Sequence, residues 1–272
     1  MKKITKPGIF KNLPYEEYDT IPALRSTYLK KHLECPAATQ IAMEETAALR
    51  FGIAAHTYLL EGSEFSKRYA VMPDFPCPID RNERGWKMTN EYKLKKQSFE
   101  IDNAGKIIIA LEDFTAISTM TKNCLEHPTA KLLLEKFEPE TTVVWKDKET
   151  GLLCKARIDI APYQGMKVIA DLKTCEDASE FGFRGAINRY HYDFSAAMYL
   201  EGVSIAFKQD IDLAMWIASE KSKPHRVEVH EMSAARRDRA DGLFHETLRA
   251  EAICRKNGKY PAWLFDGVIV QE

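Results

Sequence analysis

The sequence predicts an α/β fold in which helices pack around a mixed β-sheet, and three observations support this. Short segments with the apolar alternation of strands recur in the second half of the chain, at 141–147, 152–160, 167–173, 211–218 and 226–230. Longer helical segments accompany them, at about 105–126, 177–202 and 233–256. No internal repeat or low-complexity linker divides the sequence, so we expect a single domain over residues 1–272.

The first part of the chain is predicted to be mainly helical. Ser26 is a candidate N-cap for a helix that stops before Pro36. A second helical stretch follows at about 37–62, with a break near Gly52. Residues 73–90 are rich in proline and are predicted to form a loop. The two strands at 141–160 are expected to form a hairpin, because a glycine ends the segment that joins them.

Composition excludes several classes of protein. The net charge of −1 gives no overall basic field, so contact with DNA would depend on local clusters such as 81–96, which holds six basic and two acidic residues. The six cysteines include no C-x-x-C pair, which favours a reducing cytoplasm over a zinc ribbon, a disulfide framework or an iron–sulfur cluster. We also expect no signal peptide and no membrane span.

The most informative residues are Asp159, Asp171 and Lys173, which come near the ends of two predicted strands. Side chains alternate faces along a strand, so Asp171 and Lys173 project from the same face. Two carboxylates and an ammonium that converge could hold a divalent cation and a phosphate together, which suggests phosphodiester hydrolysis. The alternative is a solvated stripe of charge, but the apolar lead-in Val168–Ala170 favours a buried strand with its site at the carboxyl end.

These residues belong to an ordered series of short motifs that resembles a known group of enzymes. The series is Ser26–Lys30 with Cys35-Pro36, Gly52…His56, Arg81…Gly85, His127-Pro128, Trp145…Asp159, Asp171-Leu172-Lys173-Thr174 and Tyr192…Tyr199. In order and spacing it resembles the PD-(D/E)XK nuclease superfamily, and within it the exonuclease VIII (RecE-type) family of double-stranded DNA exonucleases. The resemblance covers most of the chain and implies a restriction-endonuclease-like core.

The resemblance also implies roles for the matched residues. Asp159, Asp171 and the backbone carbonyl of Leu172 would bind Mg²⁺, and His56 would lie next to the metal. Imidazole is an unusual magnesium ligand and would help to explain activity with Mn²⁺, which we expect to substitute. Lys173 would orient or help to deprotonate the attacking water. A close metal and a dry site would lower the pKa of Lys173 for that work.

Other residues have two interpretations each. His56 is either next to the metal or a packed, hydrogen-bonded core residue. Glu140 is either a further acidic member of the site or a solvated turn residue. Lys155 and Arg157 share the predicted face of Asp159, and they either contact the scissile strand or form salt bridges with nearby acids.

Further candidates for DNA binding are arginines, whose guanidinium forks suit phosphate, and one aromatic residue. They are Arg25, Arg81, Arg84, Arg184, Arg189 and Tyr192. For Tyr192 and for Tyr199, packing in the core is the alternative role. Ser195 is a departure from the family, because related nucleases commonly have Gln four residues before this second tyrosine.

The expected function is therefore a magnesium-dependent exonuclease that digests one strand of linear double-stranded DNA, 5′ to 3′, and leaves 3′ overhangs. The resemblance also implies a ring-shaped homo-oligomer and a single-strand annealing recombination protein as partner. One alternative is a RecB-type repair nuclease or endonuclease acting on single-stranded or branched DNA. The other is a catalytically inactive subunit that binds DNA ends, which the change at Ser195 keeps open.

Overall fold

The structure is a computed structural model that describes residues 4–79, 82–135, 137–162 and 165–264. In these ranges the strands are β1 Gly8–Phe10, β2 Tyr69–Val71, β3 Ile107–Ile109, β4 Glu138–Lys146, β5 Leu153–Ala161, β6 Val168–Cys175, β7 Leu213–Glu220 and β8 Val227–Glu231. The α-helices are α1 Tyr15–Thr20, α2 Ser26–His32, α3 Ala47–Leu60, α4 Gly62–Arg68, α5 Glu83–Met88, α6 Asn90–Asp102, α7 Leu111–Glu126, α8 Pro128–Glu135, α9 Glu180–Tyr190, α10 Tyr192–Phe207 and α11 Ala234–Asn257. None of these described helices combines the length and the apolar character needed to cross a bilayer.

Six strands form one mixed sheet in the order β1-β4-β5-β6-β7-β8. Neighbouring strands are antiparallel except β6 and β7, which are parallel. A parallel pair needs a crossover, and α9 and α10 supply it. The predicted mixed sheet flanked by helices is confirmed, although β2 and β3 pair separately as a small parallel sheet.

Helices cover both faces of the large sheet. On one face, α2, α9, α10 and α11 bury large side chains against β4 and β7, including Trp145, Phe194 and Phe244. On the other face, α3, α7 and α8 pack against β6 and β7 around residues such as Leu133 and Leu172. Apolar burial on this scale is the main contribution to folding. Strand β6 thus lies between two helical layers.

The structure corrects two predictions near the N-terminus. The helix at Ser26 is present, but its N-cap is Arg25, and Ser26 Oγ instead lies 3.1 Å from the hydroxyl of Tyr199. The second helical stretch is not broken at Gly52, because α3 continues through it. The helix begins only at residue 47, where Thr46 accepts a hydrogen bond from the N–H of the third residue after it.

Two further boundaries differ from the prediction. The expected helix at 105–126 begins with strand β3, because three consecutive isoleucines pair with β2 before α7 starts. The expected loop at 73–90 is shorter than predicted, because helix α5 begins at Glu83. Asn82 caps that helix by accepting from the N–H of Gly85, and Trp86 is buried. Local capping and burial therefore outweigh the proline content of the preceding residues.

Candidate active site and metal centre

The site lies where β5 and β6 diverge. These strands form only one residue pair, Ile160 with Ala170, whereas β6 pairs with β7 along its whole length. Beyond that pair, no strand among the described residues pairs with β6 on its β5 side. The side chain of Asp159 fills this place, because its Oδ2 accepts a hydrogen bond of 2.9 Å from the N–H of Leu172. The divergence thus creates a gap in the sheet lined by the predicted residues.

Lys173 and Asp171 face each other at this gap. The ammonium of Lys173 contacts Asp171 Oδ2, and both side chains are largely buried. Burial and then the neighbouring Asp159 carboxylate raise the pKa of Asp171. For Lys173, burial alone would lower the pKa, but Asp171 and Asp159 outweigh it and the pKa is raised. The lowering expected from the sequence would require a cation that neutralises the two carboxylates.

His56 enters the site from α3. Its Nδ1 donates to the carbonyl of Gly52 at 2.8 Å, one turn earlier on the same helix. Its Nε2 lies 3.0 Å from Asp159 Oδ2. Burial acts to lower the pKa of His56, but the Asp159 carboxylate dominates and raises it to about 9. Because the hydrogen bond to Gly52 fixes the ring, Nε2 is the atom presented to the site.

Glu140 and Arg157 form the flank of the site. Glu140 has a φ of 49°, and the β4–β5 ladder lacks the pair that it would make with Asp159. The guanidinium of Arg157 contacts the Glu140 carboxylate through Nε, and its Nη2 lies 3.5 Å from Glu61. Burial, followed by the Asp159 charge, raises the pKa of Glu140 to about 7. Glu140 therefore lies within the acidic cluster, and Arg157 forms the salt bridges of its second interpretation.

The donor atoms fit a divalent cation. One ligand atom each from His56, Asp159 and Asp171 lies within 4.8 Å of the other two. The N–H and C=O of a strand residue point to the same neighbouring strand, so the Leu172 carbonyl faces the gap together with its N–H. Two carboxylates and a carbonyl are oxygen ligands that Mg²⁺ accepts, and the imidazole suits Mn²⁺. The predicted metal residues are thus brought together in one place.

A second group with metal-binding side chains lies between α10 and α11. It consists of Glu201, Asp241 and His245. Here the imidazole Nε2 lies 2.9 Å from Glu201 Oε2, and the other carboxylate oxygen of Glu201 accepts from the indole N–H of Trp145 at 3.1 Å. The group contains no lysine and lies away from the diverging strands, so we do not include it in the site.

Lys155 occupies a different environment from the predicted one. It does alternate with Cys154 and Ala156, but the chain around α1 covers its face of β5, and the side chain is buried. Its ammonium donates to the carbonyls of Tyr18 at 2.7 Å and Ile21 at 3.0 Å, and also to that of Asp19. The predicted contact of Lys155 with the scissile strand is therefore corrected to a structural role inside the protein.

The predicted DNA-binding arginines are distributed over several surfaces. Arg25 is paired with Asp19 at 2.6 Å, and Arg184 with Glu180 of its own helix. Arg189 is exposed near the end of α9, with its guanidinium 5.5 Å from the ring centroid of Tyr190. Arg84 is exposed on α5, and Arg81 lies outside the described residues. None of the four described arginines is in contact with the acidic cluster.

Tyr192, in contrast, does line the site. The ammonium of Lys173 lies 5.1 Å from the centroid of its ring. Ser195 is buried and Tyr199 is partly buried on the same helix, α10, and desolvation raises the pKa of Tyr199. Lys30 of α2, which the sequence analysis named within a motif but gave no role, also approaches this ring, at 6.0 Å. Its spacing of four residues from Ser26, on the same helix face, was the available signal.

The diverging strands, with two aspartates, a lysine and a place for a divalent cation, define a domain of the PD-(D/E)XK nuclease type. The chain belongs to the family described as "PDDEXK-like domain of unknown function (DUF3799)", whose profile matches residues 26–262. No curated protein sequence matches the chain.

A solved structure shares the fold of this chain. A candidate exonuclease from Eubacterium rectale, with a crystal structure at 2.19 Å resolution, superposes with a TM-score of 0.62. The two chains are 13% identical, and the match covers 97% of this chain and 96% of the other. A structure described as SSO0001 matches over 83% of each chain at 14% identity, but its TM-score of 0.29 supports no comparison.

Proposed function

We propose that this protein is a magnesium-dependent exonuclease of the exonuclease VIII (RecE) type. It hydrolyses one strand of linear double-stranded DNA from 5′ to 3′ and leaves 3′ single-stranded overhangs for recombination. The observation that carries the proposal is the convergence of Asp159, Asp171 and Lys173 with His56 in the gap between β5 and β6. The family membership supports phosphodiester chemistry on this fold.

Each side chain has a role that follows from its position. Asp159, Asp171 and His56 would hold the divalent cation, together with the Leu172 carbonyl that faces the same gap. When bound, that cation activates the attacking water and offsets the charge that develops on the phosphate. Lys173, next to Asp171, donates a hydrogen bond to the water or to a phosphate oxygen and orients the attack. Glu140 adds negative charge next to Asp159, and Arg157 neutralises part of it.

The primary experiment is release of acid-soluble nucleotides from linear duplex DNA in Mg²⁺. We expect release by the wild type and none by Asp171→Asn, which keeps the shape of the side chain but removes its charge. Asp238→Asn is the matched control, because Asp238 is an exposed aspartate on α11 and its substitution leaves release unchanged. Tight binding to DNA ends without release by the wild type would contradict the proposal and favour the inactive end-binding subunit.

The choice of substrate distinguishes the proposed exonuclease from related nucleases. Linear duplex is degraded, whereas closed circular duplex is not. Linear DNA labelled at its 5′ end loses the label at once as a mononucleotide, and DNA labelled at its 3′ end keeps it on long strands. Cleavage of closed circles, or a preference for single-stranded or branched DNA, would instead indicate an endonuclease or a RecB-type nuclease.

The proposal extends to assembly. A ring of identical chains around the DNA would reconcile a net charge of −1 with DNA binding, since only the inner wall needs to be basic. The basic residues of α5 and α6, with Arg84 among them, are candidates for that wall. Light scattering tests the homo-oligomer directly. Co-purification with a single-strand annealing protein tests the proposed recombination partner.

A further inference from the structure

Lys30 has an environment that is unusual for a lysine. It lies on α2, one turn after Ser26, whose hydroxyl is 3.1 Å from that of Tyr199. Its ammonium donates to the carbonyl of Tyr190 at 3.0 Å and lies 6.0 Å from the ring centroid of Tyr192. Helix α2 therefore brings a second ammonium to the aromatic ring that Lys173 approaches at 5.1 Å.

The two lysines differ in their charge partners. Lys173 contacts the carboxylate of Asp171. Lys30, in the part of the chain that the structure describes, has no carboxylate at ion-pair distance, and its one hydrogen bond uses one of three ammonium donors. Burial, and second the positive charge of Lys173, lower the pKa of Lys30 to about 8. A partly buried ammonium without a counter-ion is costly, and an anionic ligand relieves that cost.

We propose that Lys30 forms a phosphate-binding subsite beside Tyr192, which holds a backbone phosphate of the DNA strand next to the one that is hydrolysed. The subsite rests on the proposed function, because it uses the strand that the acidic cluster would cleave. The aromatic ring that both ammonium groups approach provides a surface for the sugar or base that joins the two phosphates. Lys30 is thus a positioning residue, and Lys173 remains the one at the reacting phosphate.

A purely structural role is the competing explanation. Tyr190 is the last residue of α9, and a lysine that donates to a terminal carbonyl also stabilises a helix C-terminus. The two roles differ in salt dependence. A lysine that contacts phosphate releases a counter-ion on binding, so its removal lowers the slope of log affinity against log salt by about 0.9. A lysine that only caps a helix leaves this slope unchanged.

The test compares Lys30→Met, Lys30→Arg and the wild type. Binding of a blunt linear duplex is measured in EDTA, so that no hydrolysis occurs, over a series of salt concentrations. We expect Lys30→Met to bind about tenfold more weakly with a slope reduced by about 0.9, and Lys30→Arg to restore both. Lys31→Met is the matched control, because the ammonium of Lys31 donates to the Ile41 carbonyl instead of approaching Tyr192.

The arms of the experiment separate the remaining outcomes. If Lys30→Met loses the same affinity for duplexes with 5′-phosphate and with 5′-hydroxyl ends, the subsite binds an internal phosphate. If it loses affinity only for 5′-phosphate ends, the subsite binds the strand terminus, and the proposed position is overturned. The subsite is overturned if Lys30→Met melts at a lower temperature but keeps the salt slope of the wild type. It is also overturned if the wild type does not bind the duplex. Nucleotide release in Mg²⁺ is measured separately, so a wild type that binds with the expected slope but releases nothing contradicts the exonuclease and not the subsite.

Discussion

His56 on helix α3 and Asp159 on strand β5 meet with Nε2 and Oδ2 3.0 Å apart. The contact joins the helical layer that contains α3 to the sheet, at the point where β5 and β6 diverge. Both side chains belong to the group that could hold a metal ion, so the ion pair keeps these candidate ligands close together. Preorganisation of this kind reduces the reorganisation needed on binding.

Replacement of His56 tests the composition of the metal site. His56→Ala removes the nitrogen ligand and leaves the oxygen ligands, so we expect Mn²⁺ affinity to fall by about tenfold or more, and Mg²⁺ affinity to fall less. Isothermal titration calorimetry with each metal measures both. His245→Ala, in the second cluster, is the control. Equal loss for the two metals, or a loss in the control, would contradict the assigned role of His56.

Lys173 is predicted to act on the chemical step. Lys173→Ala should lower kcat by about 10²–10⁴-fold, the usual range for the loss of a group that assists proton transfer, with little change in DNA affinity. Single-turnover cleavage of a labelled duplex measures the rate. Lys67→Ala, at an exposed lysine of α4, should match the wild type. A tenfold loss of affinity at unchanged kcat would reassign Lys173 to substrate binding.

Lys155 is predicted to affect stability and not DNA binding. Lys155→Met leaves buried carbonyls around Tyr18 without their donor. The free energy of unfolding should therefore fall by about 1–3 kcal/mol. Urea denaturation provides the measurement. Lys148→Met, in the turn of the same hairpin and exposed, should have no effect. If instead Lys155→Met lowered the salt slope of DNA binding at full stability, the original DNA-contact interpretation would be correct.

The buried Glu251 predicts how stability depends on pH. It lies 2.6 Å from His32 Nε2 and accepts from Arg255 Nε at 2.6 Å. Burial acts to raise the pKa of Glu251, but these partners outweigh it and hold it below its ordinary value. A depressed pKa in the folded state adds stability that is present above about pH 4.3, the value for an unfolded glutamate, and is lost as the pH falls through the lower, folded value.

Glu251→Gln should therefore reduce stability at pH 7 by about 3–5 kcal/mol, as expected when one partner of a buried ion pair is removed. The difference from the wild type should shrink in acid. Melting curves recorded between pH 3 and pH 7 test both statements, with Glu246→Gln on the exposed face of α11 as control. If the difference in stability between Glu251→Gln and the wild type grew in acid, the pKa of Glu251 would not be lowered in the folded state.

Gly202 gives a prediction about packing. A Cβ at this position of α10 would lie 2.5 Å from the ring of Trp145, a fully buried residue of β4. Gly202→Ala should destabilise the protein by about 1–3 kcal/mol through overpacking. Gly242→Ala on α11 meets no atom within 4 Å and should be neutral or slightly stabilising. Equal behaviour of the two variants in urea denaturation would contradict this account.

The strands and the order of the acidic residues could be predicted from the sequence because they depend on local patterns. Alternation along 152–160 and 167–173 correctly separated core positions from Asp159 and from Lys173, and the glycine of the hairpin turn, Gly151, has the expected positive φ of 70°. These features need only neighbours in sequence.

The features that were missed depend on distant parts of the chain. Alternation indicates that Lys155 lies on the face opposite Cys154, but not that α1 covers that face. Glu140 was a candidate from the sequence, but its positive φ, which interrupts the β4–β5 ladder opposite Asp159, was not predicted. Lys30 joins the site only because α2 packs on α10 through the hydroxyls of Ser26 and Tyr199. Such tertiary contacts have no periodic signal in the sequence.

The hydrogen bond from Leu172 to Asp159 also bears on how such a domain would decay if selection for cleavage were relaxed. Asp159 completes the backbone of β6 in addition to its place among the ligands, so its loss would harm the architecture as well as turnover. Asp171 accepts no backbone hydrogen bond from any residue that the structure describes. Related proteins that have lost nuclease activity should therefore lose Asp171 first and keep Asp159 longest.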